Sequence, residues 1–283
     1  MPDADVVAGG GTEPARVTAT AVPTVIDRHT RATWAVRDSM WVAQRNIIGM
    51  VRTPQVLVFS TIQPVLFVLM FRYVFGGAIH IPGVRYVDFL MPGVFVQTVT
   101  FGAVNTGVGL AEDLQKGLIE RFRTLPMARS AVLAGRTLAD TLRNLFVIIL
   151  MIAVGFLVGF HLHTNVIELI AAVAVMLLFG FALSWVMALI GLATRNAEAA
   201  QAAAFPLMAL LVFASDAFVS TRTMPRFLRD YANHQPVTAT ANATRALLLG
   251  GPTLSRVLVA AAWSIGIVVV FAPLAVTRYR QTA

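Results

Sequence analysis

The densest set of side chains that could do chemistry lies between residues 111 and 143. Three carboxylates, those of Glu112, Asp113 and Glu120, occur there close together. Paired carboxylates can act as general acid and base in a polar cleft. Apolar side chains recur through the same stretch at the spacing of one helical face, at Leu114, Leu118, Phe122 and Leu125. This setting favours a short amphipathic helix that offers a docking face, although an ordinary polar loop would have the same composition.

The charges of this stretch follow the order that a helix favours. Glu112 and Asp113 would lie at its positive amino end, and Arg121 and Arg123 would lie in its later turns. Pro126 ends the pattern, because a proline inside a helix removes a hydrogen bond and clashes with the preceding turn. We therefore predict an amphipathic helix over residues 112–125.

Two further groups could be reactive. His161 and His163 form a His-x-His pair, but no third ligand lies nearby in the sequence, so an interfacial loop is favoured over a metal site. Asp216 lies near the end of an apolar run, where we expect it to be solvated or paired with Arg222. The chain contains no cysteine, which excludes disulfides, iron–sulfur clusters and thiolate metal sites.

The composition indicates an integral membrane protein. Of the 283 residues, 57% are hydrophobic and only 13% are charged, whereas soluble domains carry about 25% charged residues. The formal net charge of +8 comes almost wholly from arginine, and Lys116 is the only lysine. These positive charges lie beside apolar runs, as on cytoplasmic membrane flanks. No nucleic-acid motif accompanies them, so nucleic acid is not expected as a partner.

The elements that must position these groups are helices. Six apolar runs predict six transmembrane helices, at about residues 54–71, 89–110, 144–160, 166–193, 199–218 and 254–276. The first is short for the roughly 20 residues that a span needs. Residues 1–30 read as a disordered cytoplasmic tail. Residues 31–52 carry tryptophans among arginines, which favours an interfacial helix over a plain linker.

A second polar stretch, residues 220–252, precedes the sixth run. One helical face is shared by Val237, Ala241, Thr244 and Leu248. Gly250 and Gly251 would stop that helix, and the segment at 225–231 could form another. Two partial helices joined near Gln235 and Pro236 could form a re-entrant hairpin, which membranes tolerate where protein or water covers the backbone.

Six spans place both termini on one side of the membrane. The arginines near the early spans favour a cytoplasmic location for both termini, while the arginines of residues 220–252 argue against it. The preference for arginine over lysine, together with much alanine, glycine and valine, suggests a GC-rich bacterial genome. We therefore expect a multi-pass protein of the bacterial plasma (inner) membrane.

Several motifs resemble those of a known family. The run from Gly117 to Arg129, with Gly135, Arg136 and Asp140, resembles the cytoplasmic loop of ABC-2-type transporter permeases, in particular the daunorubicin-resistance subgroup. Further similar stretches are Thr194-Arg195-Asn196, His234-Gln235-Pro236-Val237 and Arg245-Ala246-Leu247. The resemblance covers about residues 31–280. It implies a permease domain at 31–283 with an all-α fold: six spans, an N-terminal interfacial helix, a cytoplasmic coupling helix between spans two and three, and an outer re-entrant hairpin before span six.

The resemblance also implies partners and a function. Such permeases export amphipathic drugs or lipids and work as two permease units, identical or sister chains, with two ATP-binding subunits. ATP and Mg would bind those subunits, because this chain has no G-x-x-x-x-G-K-[ST] loop and carries no cofactor of its own. The implied ATPase-coupling residues are Glu112, Asp113, Gly117, Glu120, Arg121, Phe122, Arg123 and Pro126. The outer re-entrant element would include Gln235, Pro236 and Arg245.

The predicted spans contain few charges, which favours an apolar pathway for a lipid-soluble substrate. Candidate pathway residues are Gln97, Phe101, Asn105, Phe205 and Phe213. They could equally be ordinary packing residues.

Two other function classes fit the sequence less well. A proton-coupled secondary transporter usually has acids or broken helices near the bilayer midplane, often in repeated halves, whereas the acids here cluster at span ends and no repeat is evident. An intramembrane lipid-linked transferase needs paired acid and base groups at a bilayer-facing cleft. Glu112, Asp113 and Glu120 could serve, but their amphipathic setting fits docking better.

Overall fold

A computed structural model describes residues 54–74, 76–77, 83–117, 129–221 and 224–282, and every regular element in these ranges is helical. The helices are α1 (Pro54–Leu69, followed by a π-helical turn, Met70–Val74), α2 (Tyr86–Gly102), α3 (Val104–Gln115), α4 (Arg129–Leu157), α5 (Val166–Thr194), α6 (Ala197–Phe213), α7 (Arg226–Asn233), α8 (Pro236–Leu249) and α9 (Thr253–Thr282). The predicted tail, the helix at 31–52 and residues 118–128 lie outside these ranges.

Four stretches are long and apolar enough to cross a membrane: Tyr86–Gln115, Arg136–Leu157, Val166–Thr194 and Thr253–Tyr279. They confirm the second, third, fourth and sixth apolar runs as helices of spanning length. The first and fifth runs form the shorter apolar helices Ile62–Val74 and Ala197–Phe213. At ~1.5 Å per residue, the 17 residues of α6 reach about 25 Å, less than the ~30 Å hydrocarbon core. The count of six spans stays a prediction.

Helix α3 corrects the predicted start of the amphipathic helix. It continues the second apolar run as far as Gln115, and Gly117 follows with a positive φ of 64°. Glu112 and Asp113 therefore lie in its last turn, at the negative end of a helix rather than at the positive end of a new one. The periodicity predicts a new helix at residue 112 because Leu114 fits the apolar spacing of the preceding helix as well as that of the following segment.

Helix α4 corrects the predicted third span, which begins much earlier than residue 144. The helix starts at Arg129, and Arg136, Asp140 and Arg143 lie within it. Their spacing, i, i+4 and i+7, puts them on one face. Asp140 and Arg143 are buried in the bundle, whereas Leu142 and Phe146 of the same helix are exposed. Helix α4 therefore carries three charged residues that the predicted third span did not include.

Helix α5 is the centre of the bundle and packs against α3, α4, α6, α8 and α9. It approaches α3 closely where Gly191 meets Gly107. A Cβ atom on Gly191 would lie 2.2 Å from the backbone oxygen of Gly107, and one on Gly107 would lie 2.5 Å from the oxygen of Met187. Two glycines thus let the helix backbones touch, as small residues do in membrane bundles.

Replacing Gly191 by alanine is expected to destabilise the protein by about 1–3 kcal/mol, because the added methyl group must push the α3 and α5 backbones apart. The thermal unfolding midpoint of the detergent-purified protein measures this loss. Gly266→Ala on α9 is the matched control, since a Cβ atom there has no neighbour within 4 Å. Equal midpoints for the two variants would contradict the close approach.

Candidate functional site

Arg245 joins three helices at one end of the bundle. It lies on α8 and is buried. Its Nη1 donates to the Asp216 carboxylate at 2.9 Å, its Nη2 to the Ala217 carbonyl at 3.0 Å, and its Nε to the Phe89 carbonyl at 3.1 Å. The guanidinium also stacks on the Phe89 ring, 3.7 Å from its centroid. Arg245 thereby ties α8 to the start of α2 and to the end of α6.

Burial lowers the pKa of Arg245 to about 10, and the neighbouring Asp216 charge partly offsets that effect. The guanidinium therefore stays charged at neutral pH. The sequence predicts that Asp216 is solvated or paired with Arg222. Arg222 lies outside the described residues. The Asp216 carboxylate is instead largely buried and is held by Arg245, 29 positions further along the chain. No local sequence signal indicates so distant a partner.

The predicted outer element is brought together as two short helices, α7 and α8, which meet at His234 and Gln235. Pro236 occupies the first turn of α8, where its missing N–H has no partner to lose. Gln235 is buried and donates to the Ala214 carbonyl at 2.7 Å. The predicted face is buried as expected at Val237, Ala241, Thr244 and Leu248. Whether this hairpin re-enters a membrane stays a prediction.

The loop that contains His161 and His163 lies at the same end of the bundle as Arg245. His161 belongs to the connection between α4 and α5, as predicted, and among the described residues no group of three or more metal-binding side chains is present. Its backbone N–H donates to the buried Asp88 carboxylate at 3.0 Å, and its Nδ1 lies 2.8 Å from Nη2 of Arg85. Thr164 in the same connection donates to the Leu247 carbonyl of α8. These contacts anchor the loop to α2 and α8.

A cavity of about 490 Å³ opens between α1, α2, α3, α4 and α6. Four of the five predicted pathway residues line it, namely Gln97, Phe101, Asn105 and Phe205. The rings of Phe101 and Phe205 lie 5.7 Å apart by their centroids. The wall thus combines aromatic rings with amide groups.

Phe213, the fifth predicted pathway residue, does not line this cavity. Its ring packs against Phe67 and Phe218, with centroid distances of 6.2 and 5.7 Å. This aromatic cluster joins α1 to the end of α6, so Phe213 has a packing role. Periodicity could not separate the two roles, because apolar aromatic residues suit either setting.

The cavity wall also holds polar residues that the pathway prediction omitted: Gln63, Thr98, Arg143, Asn144 and Gln201. Arg143 had been assigned to the polar stretch before the third span. Its Nη2 donates to the Gly102 carbonyl at 2.6 Å. The signal that could have found it is the spacing of Arg136, Asp140 and Arg143 on one helical face.

Two sets of polar contacts, here together called the polar ladder, lie between the end of α3 and the cavity. The ladder consists of Asp113, Arg136, Thr106, Asp140 and Arg143. Asp113 forms an ion pair with Arg136. Thr106 donates to Asp140 at 2.5 Å, and Nη1 of Arg143 lies 3.9 Å from the Asp140 carboxylate. The ladder therefore runs along the facing sides of α3 and α4.

The predicted coupling residues are described only in part. Glu112 forms an exposed ion pair with Lys116 at 3.2 Å, which contributes little stability in solvent. Asp113 faces inward to Arg136, and Gly117 adopts the left-handed conformation that ends α3. The remaining members, Glu120, Arg121, Phe122, Arg123 and Pro126, lie outside the described residues, so their docking role stays a prediction.

Comparison with known proteins agrees with the motifs. The family model described as ABC-2 type transporter matches residues 38–249. A daunorubicin resistance ABC transporter permease protein, DrrB1, of Streptomyces coeruleorubidus is 34% identical over 255 residues, which cover 90% of each chain. A probable doxorubicin resistance ABC transporter permease protein, DrrC, of Mycobacterium tuberculosis is 27% identical over 232 residues, covering 79% of this chain and 81% of its own. The chain therefore belongs to the ABC-2 family of transporter permeases.

Proposed function

We propose that this protein is the membrane permease of an ABC exporter that moves amphipathic drugs or lipids out across the bacterial plasma membrane. The observation that carries the proposal is the cavity of about 490 Å³, which combines aromatic and amide groups between apolar helices. Such a lining suits a ligand with both an apolar body and polar groups. Relatives named for daunorubicin and doxorubicin resistance support drugs as one substrate class.

The energy source would be a separate subunit that binds ATP and Mg, because this chain has no phosphate-binding loop for them. The segment from Glu112 to Pro126 would dock on that subunit. Movement of the segment would then pull on Asp113 at the end of α3, and through Arg136 on α4. The polar ladder would carry this displacement to Arg143 in the cavity wall.

A second permease, either another copy or a sister chain, would cover the mouth of the cavity. Gln63, Asn105 and Gln201 are exposed there. Lipid tails offer amide groups no hydrogen bonds, so such side chains usually face a protein or water-filled surface. Two permeases facing each other at this surface would enclose the pathway between them.

One observation favours the second candidate, a proton-coupled transporter, because Asp140 is an acid buried within the bundle. Asp140 is nevertheless held by Thr106, lies beside Arg143 and does not line the cavity. The transferase is less favoured, because Glu112 and Asp113 are both engaged in ion pairs at a helix end.

Vesicles that contain the permease with its ATP-binding subunit test the proposal. ATP should drive uptake of a fluorescent amphipathic drug into inside-out vesicles, and vesicles that lack the subunit should show none. The rate of ATP-driven uptake should not change when an ionophore collapses the proton gradient. Uptake driven by a proton gradient without ATP would support the secondary transporter instead.

Phe122→Ala and Glu120→Arg are expected to uncouple ATP hydrolysis from transport by about tenfold, because they alter the proposed docking segment. The ratio of substrate moved to ATP hydrolysed measures the effect, and the thermal unfolding midpoint should not change. Glu168→Arg, at the opposite end of the bundle, serves as the control. Normal ratios for both docking variants would exclude this segment as the coupling element.

The proposed orientation, with both termini in the cytoplasm, can be tested with introduced cysteines, since the native chain has none. Thr238 and Thr244 are buried and would label poorly, whereas Asn233 and Glu198 are exposed at opposite ends of the bundle. Asn233→Cys should react with an impermeant maleimide from outside the cell, and Glu198→Cys only after lysis. The reverse pattern would overturn the orientation.

A further inference from the structure

One buried amide in the cavity wall lacks a hydrogen-bond partner. The side chain of Gln97, on α2, is 2% exposed, and its Oε1 accepts no hydrogen bond from any described residue. Among the described residues that line the cavity, this oxygen is the one buried side-chain polar atom in that condition. A buried acceptor without a donor is unfavourable, and a donor on a ligand would remove the penalty.

Three other polar side chains of the wall already have partners within the protein. Thr98 and Asn105 donate to backbone carbonyls of the preceding helical turn, at 2.8 and 3.2 Å. Arg143 donates to a backbone carbonyl at the end of α2 and forms an ion pair with Asp140. These groups are engaged in contacts within the bundle, whereas Oε1 of Gln97 is left for a ligand.

An unpaired acceptor alone would not identify a binding residue, because Oε1 of Gln235 is unpaired as well. Gln235 lies outside the cavity, and its Nε2 donates to the Ala214 carbonyl at 2.7 Å, which ties α8 to the end of α6. Within the described ranges, no hydrogen bond of this kind joins the Gln97 side chain to another helix. A structural hydrogen bond therefore accounts for the buried amide of Gln235 but not for that of Gln97.

Gln97 also lies where the polar group of an amphipath would be placed. Phe101 follows it by four residues on α2, so the two side chains are neighbours on one helical face. The rings of Phe101 and Phe205 form the aromatic part of the wall. An apolar body against these rings would hold its attached polar group about one helical turn away, beside Gln97. The terminal torsion of a glutamine is soft, so Oε1 can turn toward that group.

We infer that Gln97 is the specificity residue of this cavity and selects amphipaths whose polar group carries a hydrogen-bond donor, an O–H or an N–H. The inference rests on the proposed function, since it names the substrate class of the same cavity. A donor would pair with Oε1, whereas a ligand that has acceptors only would leave this oxygen buried and unpaired. The selection depends on the donor and not on net charge, so neutral and cationic amphipaths with such a group both fit.

The test uses the purified permease in nanodiscs of phosphatidylcholine, whose headgroup has no donor, and four neutral fluorescent probes. The probes share one donor-free dye and one dodecyl tail and form two pairs: a hydroxyl with its methyl ether, and a secondary amide with its N-methyl derivative. We expect the donor of each pair to bind about fivefold more tightly than its methylated partner. Gln97→Met should bring each donor probe to the affinity of its partner, while the methylated probes bind as before and show that the cavity is folded.

Gln281→Met, the same substitution at an exposed glutamine near the end of α9, should bind all four probes as the unmodified protein does. The thermal unfolding midpoint of Gln97→Met separates two roles of this residue. Loss of a structural hydrogen bond would lower the midpoint, whereas removal of an unpaired buried acceptor should leave it unchanged or raise it. Equal binding within both pairs, or a preference that survives in Gln97→Met, would overturn the inference alone. Failure of all four probes to bind would overturn both the inference and the proposed function.

Donor-bearing amphipaths could be lipids of the bilayer or exported solutes. Repeating the titration in nanodiscs that contain phosphatidylglycerol, whose headgroup carries hydroxyl groups, separates these sources. Weaker apparent binding of the hydroxyl probe would identify a bilayer lipid as the ligand. Unchanged affinity would identify a donor-bearing amphipath other than the surrounding lipid.

Discussion

Replacing Arg245 by methionine is expected to destabilise the permease by about 3–5 kcal/mol, as expected when one partner of a buried ion pair is removed. The variant would leave the Asp216 carboxylate buried without its cation, and the carbonyls of Phe89 and Ala217 without their donor. Because these contacts join α8 to α2 and α6, the α7–α8 hairpin should loosen first. Thermal unfolding in detergent and hydrogen exchange of α8 measure the two effects.

Arg256→Met is the matched control, since that arginine is exposed at the start of α9 and its loss should change the midpoint little. The double variant Asp216→Asn/Arg245→Met should unfold at a higher temperature than the single variant, because it no longer buries an unpaired charge. A single variant that melts like Arg256→Met would show that the arginine is not a structural clamp.

The apolar runs and the hairpin were predictable because long hydrophobic segments and helix-stopping glycines are local signals. Four runs have spanning length, and the hairpin face at Val237, Ala241, Thr244 and Leu248 is buried as the periodicity indicated. The pairing of Arg245 with Asp216 was not predictable in this way, since the two residues meet only when α8 packs against the end of α6.

The two main errors of the sequence prediction concern charged residues that were predicted outside the apolar helices and that the structure places within them. Asp113 and Arg136 fit one polar loop in the sequence, yet Asp113 lies where α3 continues about one turn beyond its apolar run, and Arg136 lies where α4 begins about four turns before its run. A charged residue can remain in a helix inside a bundle when another helix supplies its counter-charge, and this pair does so for α3 and α4. Sequence periodicity on one helix cannot reveal that partner.

The cavity also contains residues that the sequence pattern indicates and residues that it does not indicate. Amide and aromatic residues in the apolar runs correctly predict four of the residues that line it. Phe213, which fits the same pattern, belongs to a neighbouring aromatic cluster. The sequence pattern does not indicate Arg143, because its charge is typical of the polar stretch before the third run. Its position in the cavity wall depends on the early start of α4, where Arg136 forms an ion pair with Asp113 of α3.

Asp113→Ala is expected to lower the ratio of substrate moved to ATP hydrolysed by about tenfold while leaving hydrolysis itself largely intact. Asp113 lies at the start of the proposed docking segment, and its ion pair with Arg136 is the first contact that would pass a movement of that segment to α4. Without this contact, the ATP-binding subunit could still close on its nucleotide, but α4 and the cavity would follow less closely. Inside-out vesicles in which transport and phosphate release are measured together give the ratio directly.

The charge-swapped variant Asp113→Arg/Arg136→Asp should recover part of the loss, because it restores an attraction between α3 and α4 in the opposite sense. Glu198→Ala is the control, as an exposed acid in the first turn of α6 at the same end of the bundle. A ratio for Asp113→Ala equal to that of Glu198→Ala would place the transmission of movement outside the polar ladder. A loss that the swapped pair does not recover would show that Asp113 acts through a partner other than Arg136.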